Sequence, residues 1–202
     1  HVALDIGTGT GVIALMLAQR NEKLMIDAVE IDQAAFQQAA ENFKNNAFAE
    51  RLNIYHNAIQ DYAKNLFSTK YDLIVSNPPY FNSGTLAKNN RKANSRHSIQ
   101  LPHKELLQAV NIMLTQDGHF NAIIPYMEGL QLIDEAVNFQ LYPIVITEVY
   151  PKENKPIERL LICFGKNNGQ ITKNQLVIHK SDDPKDYTED YIALTKDFYI
   201  FM

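Results

Sequence analysis

Val2-Ala3-Leu4-Asp5-Ile6-Gly7-Thr8-Gly9-Thr10-Gly11 stands at the start of the chain and decides its fold class. Val2 to Ile6 predicts a buried strand, the glycines a tight turn, and Val12 to Gln19 a helix. Strand, glycine-rich turn and helix are the first half of a dinucleotide-type βαβ unit, which implies a doubly wound, mostly parallel α/β sheet. The glycine spacing then discriminates between ligands. A phosphate-binding GxGxxG beginning at Gly7 needs glycine at position 12, where Val12 stands. The pattern present is Asp-x-Gly-x-Gly-x-Gly. Its glycines let a ligand approach the backbone closely, while the Asp5 carboxylate repels a pyrophosphate and suits a cationic amino group. That favours S-adenosylmethionine over a nicotinamide dinucleotide; the bland alternative is a tight strand-to-helix turn with no ligand.

The next strand, Met25 to Val29, ends at Glu30-Ile31-Asp32. A carboxylate at the end of the second strand of such a sheet can accept from both ribose hydroxyls, and Glu30 is the candidate. Asp32 is better placed to cap the following helix, whose apolar face is Phe36, Ala39, Ala40, Phe43 and Ala47. Leu52 to His56 alternates as a third strand and leads into Asn57-Ala58-Ile59-Gln60-Asp61, a loop expected to border an adenine ring.

A fourth strand, Tyr71 to Val75, runs into Ser76-Asn77-Pro78-Pro79-Tyr80. An exocyclic amine on a purine, or an amide nitrogen, has its lone pair delocalised into a π-system and must be held and desolvated before it can attack. The Asn77 side-chain oxygen and the Pro78 carbonyl can each accept one N–H of such a group, aiming the lone pair and stabilising the positive charge that develops. Pro78 and Pro79 stiffen the corner, and Tyr80 offers a flat face for a base. The competing reading is an ordinary proline-rich turn after a buried strand.

Charge is arranged around this turn. The net charge of -4 argues against indiscriminate coating of nucleic acid, yet no acidic residue lies between Asp72 and Glu105, where Lys88, Arg91, Lys92, Arg96 and Lys104 fall. Phe81 to His97 is polar and basic, a loop over the crevice. Arg91 and Arg96 could clamp phosphates, Lys88 and Lys92 suit a solvated face, and His97 either touches substrate or caps the next segment. Pro102 starts a helix with the apolar face Leu106, Leu107, Val110, Met113 and Leu114, closed by Asp117-Gly118; His119 to Pro125 is the fifth strand and Met127 to Phe139 a helix. Ile144 to Tyr150 and Leu160 to Phe164 lie too close in sequence for a helical crossover and form an antiparallel hairpin. Gln175 to His179 reads as a short added strand, and the aromatic Tyr187 to Met202 as a tail docked on the core.

At 202 residues and 46% hydrophobic the chain can bury one good-sized core, so a single domain over 1–202 is expected. No apolar run reaches the length of a membrane span. The lone Cys163 lies in an apolar run, as a small buried hydrophobe, and precludes an internal disulfide or a cysteine-rich zinc site. A cytoplasmic setting and a monomer are expected. Because the chain opens inside a strand at His1, an upstream segment is expected to be missing from it.

With both motifs in hand, the chain resembles the class I S-adenosylmethionine-dependent N-methyltransferases, on Asp5-Ile6-Gly7-Thr8-Gly9-Thr10-Gly11 and Asn77-Pro78-Pro79-Tyr80 in the usual order. The resemblance implies a Rossmann-like sheet with a C-terminal antiparallel hairpin. It implies donor contacts at Asp5, Gly7, Gly9, Gly11, Glu30 and Ile59, and catalysis at Asn77, Pro78 and Tyr80 without metal or covalent intermediate. Asn77 to Phe81, the loop with Arg91, Arg96 and His97, then Leu101 to Leu107, and the tail with Tyr187-Thr188 and Asp197-Phe198-Tyr199 look like the bacterial tRNA methyltransferases that modify N6 of adenine 37 in a valine tRNA. In that reading Pro79, Phe81, Arg91, Arg96 and His97 face tRNA. A glutamine N5-methyltransferase acting on release factors uses the same turn and is the nearest rival; a non-catalytic nucleotide- or RNA-binding module is the other. Two departures stand out. Relatives commonly place an aspartate on the donor adenine's amino group where this chain has Ala58, so Gln60, Asp61 or the Ile59 N–H takes over or donor affinity is weak. The family also has a segment before the first strand that helps to cover the donor and is absent from this sequence.

Overall fold

A computed structural model describes residues 1–65, 70–78 and 101–199. The chain alternates strand and helix from its start: β1 (Val2–Ile6), α1 (Val12–Arg20), β2 (Met25–Glu30), α2 (Gln33–Lys44), β3 (Leu52–His56), α3 (Ile59–Asn65), β4 (Tyr71–Ser76), α4 (His103–Met113), β5 (Leu114–Pro125) and α5 (Tyr126–Ala136). It then turns to β6 (Tyr142–Lys152), β7 (Arg159–Gly165), β8 (Thr172–His179) and α6 (Glu189–Thr195). The described strands form one sheet of order β3-β2-β1-β4-β5-β7-β6-β8. β1 to β5 pair in parallel. β7 is antiparallel to both β5 and β6, as the short connector between β6 and β7 requires, and β8 pairs in parallel with β6. The strand order reverses between β1 and β4, and the crevice outside their carboxyl ends is where such sheets take ligands.

Parallel strands covered on both faces read as continuous apolar runs, and β1 shows why. Leu4 and Ile6 face one way, into a core with Ile74, Phe120 and the buried faces of α3, α4 and α5; Ala3 faces the other, with Ile26 and Ala28 of β2. On that second face α1 and α2 contribute Ala14, Ala18 and Ala39, small residues that let helix backbones lie close to the sheet, and the Phe43 ring, which fills the remaining space. Phe120 and Phe164 stack across the β5–β7 pair at 5.7 Å, joining the hairpin to the parallel half. Below α3, the Tyr71 hydroxyl donates to Asp27 at 2.7 Å and lies 2.7 Å from the Tyr62 hydroxyl, a buried network in which burial pushes both phenols well above their usual range.

Several expectations need revision. Ile59 to Asp61, expected within a loop, instead open α3, in which Ile59, Tyr62 and Ala63 are buried at helical spacing. α4 ends at Met113, not at Asp117-Gly118, because Leu114 is already extended and pairs with Tyr71. The register then shifts, so that Leu73 pairs with His119 and Asp117-Gly118 sits in the irregularity. α2 stops at Lys44, which leaves Ala47 exposed beyond it. β8 starts three residues before Gln175, at Thr172. The described part of the tail docks on the end of α1 rather than on the core: Arg20 donates to the Leu194 carbonyl at 2.8 Å and lies 4.9 Å over the Phe198 ring, while Gln19 donates to the Asp197 carbonyl at 2.9 Å. Cys163 is half-buried, and burial pushes its thiol up. Among the described residues no helix is long and apolar enough to cross a membrane.

Candidate active site

The β1–α1 turn is built from three glycines with positive φ, Gly7 at 68°, Gly9 at 59° and Gly11 at 86°. Gly11 is forced twice. Its left-handed backbone serves as the N-cap of α1, and a Cβ there would meet Phe43 Cε1 at 2.4 Å. At Gly7 and Gly9 no described atom lies within 4 Å of where a Cβ would sit, so the turn is open on that side.

Asp5, the last but one residue of β1, lies beneath this turn and is fully buried. Its Oδ2 accepts from the Thr8 hydroxyl at 2.6 Å, while Oδ1 is buried with no hydrogen-bond partner among the described residues. Burial raises its pKa to about 6, opposed by the Thr8 hydroxyl and then by the Ala14 backbone N–H, and reinforced by the charge of Glu30. The Ala14 N–H makes no hydrogen bond that satisfies Oδ1, and acts as part of the positive field at the start of α1. A buried, half-satisfied carboxylate beside an open turn fits a cationic hydrogen-bond donor.

Glu30, at the carboxyl end of β2, is also buried. Gly9 N–H donates to its Oε2 at 2.8 Å, and the Ile31 and Asp32 N–H groups both donate to Oε1 at 2.8 Å. A carboxylate offers about four acceptor positions, so these three amides leave one, on Oε2. The side chain thereby ties the glycine turn to the end of β2 and presents one acceptor, not the pair needed to take both ribose hydroxyls. Asp32 instead caps α2, accepting from the Ala35 N–H at 2.8 Å.

β4 delivers the second motif beside the first. Ile6 pairs with Ser76, so Gly7 and Asn77 leave adjacent parallel strands at the same level. The Ser76 hydroxyl donates to the Ile6 carbonyl at 2.9 Å, fastening the two strand ends together. Asn77 is exposed and Pro78 buried. Ile59 is buried as the first residue of α3, where a backbone N–H takes no partner from within the helix. Asp5, Gly7, Gly9, Gly11, Glu30, Ile59, Asn77 and Pro78 thus gather at the carboxyl end of one sheet. Pro79, Tyr80, Phe81, Arg91, Arg96 and His97 lie outside the described residues.

Two exposed apolar side chains belong to the same rim: Ile31, 38% exposed directly after Glu30, and Val12, 55% exposed in the first turn of α1. An isolated apolar residue between two acids at a strand end is the signal for Ile31, and such a side chain can pack on the face of a flat ring. Among the described residues no group of three or more His, Cys, Asp or Glu could hold a metal ion.

The methyltransferase small domain family model matches residues 1–119. The tRNA1(Val) (adenine(37)-N6)-methyltransferase of Flavobacterium psychrophilum is 40% identical over 199 residues, 98% of this chain and 84% of the relative. That of Pedobacter heparinus is 40% identical over 98% of this chain and 82% of its own length. Among solved structures, a predicted O-methyltransferase from Agrobacterium tumefaciens superposes with a TM-score of 0.71 at 17% identity, covering 96% of this chain and 88% of that one. A ribosomal protein L11 methylase from Lactobacillus delbrueckii subsp. bulgaricus gives 0.55 at 16% identity, over 83% and 70%. These two likenesses bear on the fold alone.

Proposed function

Since the chain belongs to the methyltransferase small domain family, and its near full-length relatives are named tRNA1(Val) (adenine(37)-N6)-methyltransferases, we propose that it methylates N6 of adenine 37 in a valine tRNA with S-adenosylmethionine as donor. The observation that supports this reading is the adjacency of Gly7 and Asn77 at the ends of paired strands, with the open glycine turn beside the Asn77-Pro78 corner.

The donor fits the residues present. The Oδ1 of Asp5, without a partner among the described residues, suits an ammonium group, the open side of Gly7 and Gly9 leaves room for a ligand against backbone, and the remaining acceptor position of Glu30 suits one hydroxyl. S-adenosylmethionine supplies an electrophilic methyl group on a sulfonium, a leaving group that needs no metal.

The protein's task is then positioning and electrostatics. The Asn77 side-chain oxygen and the Pro78 carbonyl accept the two N–H bonds of the target amine, directing its lone pair and stabilising the ammonium character that develops on nitrogen. The surplus proton leaves to water. The target adenine, unstacked from its loop, lies on the Tyr80 ring, and Arg91, Arg96 and His97 with Pro79 and Phe81 meet the surrounding RNA in the acid-free interval before Glu105. A membrane has no part in this reading, and a monomer in the cytoplasm suffices for it.

The test is incubation of the full chain with methyl-labelled donor and, separately, total bacterial RNA or total bacterial protein. Label recovered as N6-methyladenosine from tRNA is the expected result. Label on release factors, or in neither fraction, overturns the assignment.

A further inference from the structure

The strand order β3-β2-β1-β4 places Glu30 between residues 57–61 on one side and Asn77 on the other. A nucleoside donor held by Glu30 with its sulfur side toward Asn77 therefore carries its adenine toward the start of α3. Adenine differs from other purines there by an amino group that needs an acceptor, and Ala58 has none to offer. Asp61 is exposed and turned to Lys64 on its own helix, at 3.4 Å. Gln60 is half-buried, and its amide nitrogen donates to Glu105 Oε2 in the first turn of α4.

This contact has a direction. A carboxylate only accepts, so Glu105 selects the NH₂ end of the Gln60 amide and turns Oε1 the opposite way. Both helices begin at the carboxyl end of the sheet, since α3 follows β3 and α4 precedes β5, and α3 packs on α4. Glu105 is itself suited to the first turn of a helix, where the dipole favours a carboxylate. No described residue donates to Gln60 Oε1.

We propose that Gln60 Oε1 is the acceptor for the donor's adenine 6-amino group, and that Glu105 is a positioning residue which fixes the amide orientation and so makes the site select adenine over hypoxanthine. The inference deepens the proposed function and rests on it. Hypoxanthine presents an oxygen at position 6, which would face the Gln60 oxygen, acceptor against acceptor.

The experiment is titration calorimetry of the full chain with S-adenosylhomocysteine and with its deaminated analogue S-inosylhomocysteine, with unfolding curves for each variant. The wild type is expected to bind the adenosine form at least about tenfold more tightly, the scale of one lost hydrogen bond plus an unpaired acceptor. Gln60→Ala should weaken S-adenosylhomocysteine about five- to tenfold and bring the ratio of the two ligands near one. Glu105→Gln frees the amide to turn over, so the adenosine form should lose only about twofold while the inosine form gains. Equal affinity of the wild type for both ligands overturns the inference and leaves the proposed function standing. So does a parallel loss of both ligands in Gln60→Ala. Absence of S-adenosylhomocysteine binding by the wild type overturns the proposed function and this inference with it.

Discussion

The Ser76 hydroxyl reaches 2.9 Å from the Ile6 carbonyl, across the two strands whose ends carry the glycine turn and the Asn77-Pro78 corner. It is a buried bond between residues 70 positions apart, and it sets the spacing of donor and acceptor halves. Ser76→Ala leaves that carbonyl short of a partner, and the expected loss of stability is about 1–2 kcal/mol. Denaturant titration measures it. Turnover should fall more than donor affinity, since the glycine turn keeps its own bonds to Val29 and Glu30.

Asp5 gives stability a pH dependence opposite to that of an ordinary salt-bridged carboxylate. Its folded pKa is about 6 against an unfolded value near 3.8, so between these values the folded state binds more protons and stability falls as pH rises. Complete titration costs about 3 kcal/mol, an order-of-magnitude figure for a fully buried group. Asp5→Asn removes the dependence, so its stability relative to the wild type should grow by about that amount from pH 4 to pH 7. A difference that stays flat across this range rejects the assignment of Asp5 as a half-satisfied buried acid. Donor binding should show the complement: the wild type binds more tightly above pH 6 than below, and Asp5→Asn binds weakly at every pH.

Gly7 and Gly11 share a left-handed backbone but not their surroundings. Alanine at either position pays about 1–2 kcal/mol for its φ. At Gly11 it also drives a Cβ into the Phe43 ring of α2, adding about 1–3 kcal/mol. At Gly7 the Cβ points into space the donor is expected to fill. Gly11→Ala should therefore be the less stable variant without ligand, and Gly7→Ala the one whose donor affinity falls out of proportion to its stability. Thermal unfolding with and without S-adenosylhomocysteine separates them.

RNA recognition through the acid-free interval predicts a steep salt dependence. Each phosphate neutralised on a single strand contributes a slope of about -0.7 in log affinity against log salt. Replacing Arg91 and Arg96 together by Ala should flatten the slope by about 1.4 if each meets one phosphate. An unchanged slope assigns both to the solvated face.

Local signals make the glycine turn and the C-terminal hairpin legible. Asp5 to Gly11 specified strand, turn and helix because the backbone there leaves little choice, and the short link between Tyr150 and Leu160 made the hairpin antiparallel for want of chain. What stayed hidden depends on residues distant in sequence. α3 is obscured because Gln60 and Asp61 look like loop residues, and burial of Ile59, Tyr62 and Ala63, with Tyr62 bonded beside Asp27 and Tyr71, favours the helix. The early start of β5 follows from the pairing of Leu114 with Tyr71, which no local pattern records. Glu30 is legible in the sequence as a candidate site residue, but not the three backbone amides that already occupy it. The Gln60–Glu105 contact joins residues 45 apart and left no trace in either segment.

Asn77 carries the most direct test of the chemistry. An adenine amine is a poor nucleophile, and its reactivity depends on acceptors that are already in place when positive charge appears on nitrogen. Asn77→Ala removes one of two such acceptors and leaves the Pro78 carbonyl. The expected single-turnover rate falls about 10²- to 10³-fold, the scale for one preorganised stabilising group. Single-turnover measurement matters because a slow product-release step would mask part of the loss in steady state. S-Adenosylhomocysteine affinity should stay near the wild-type value, because Asp5, Gly9 and Glu30 are bonded among β1, β2 and their turns rather than to the corner after β4. If affinity falls in step with the rate, Asn77 supports the donor cleft and the amine-holding role passes to another group.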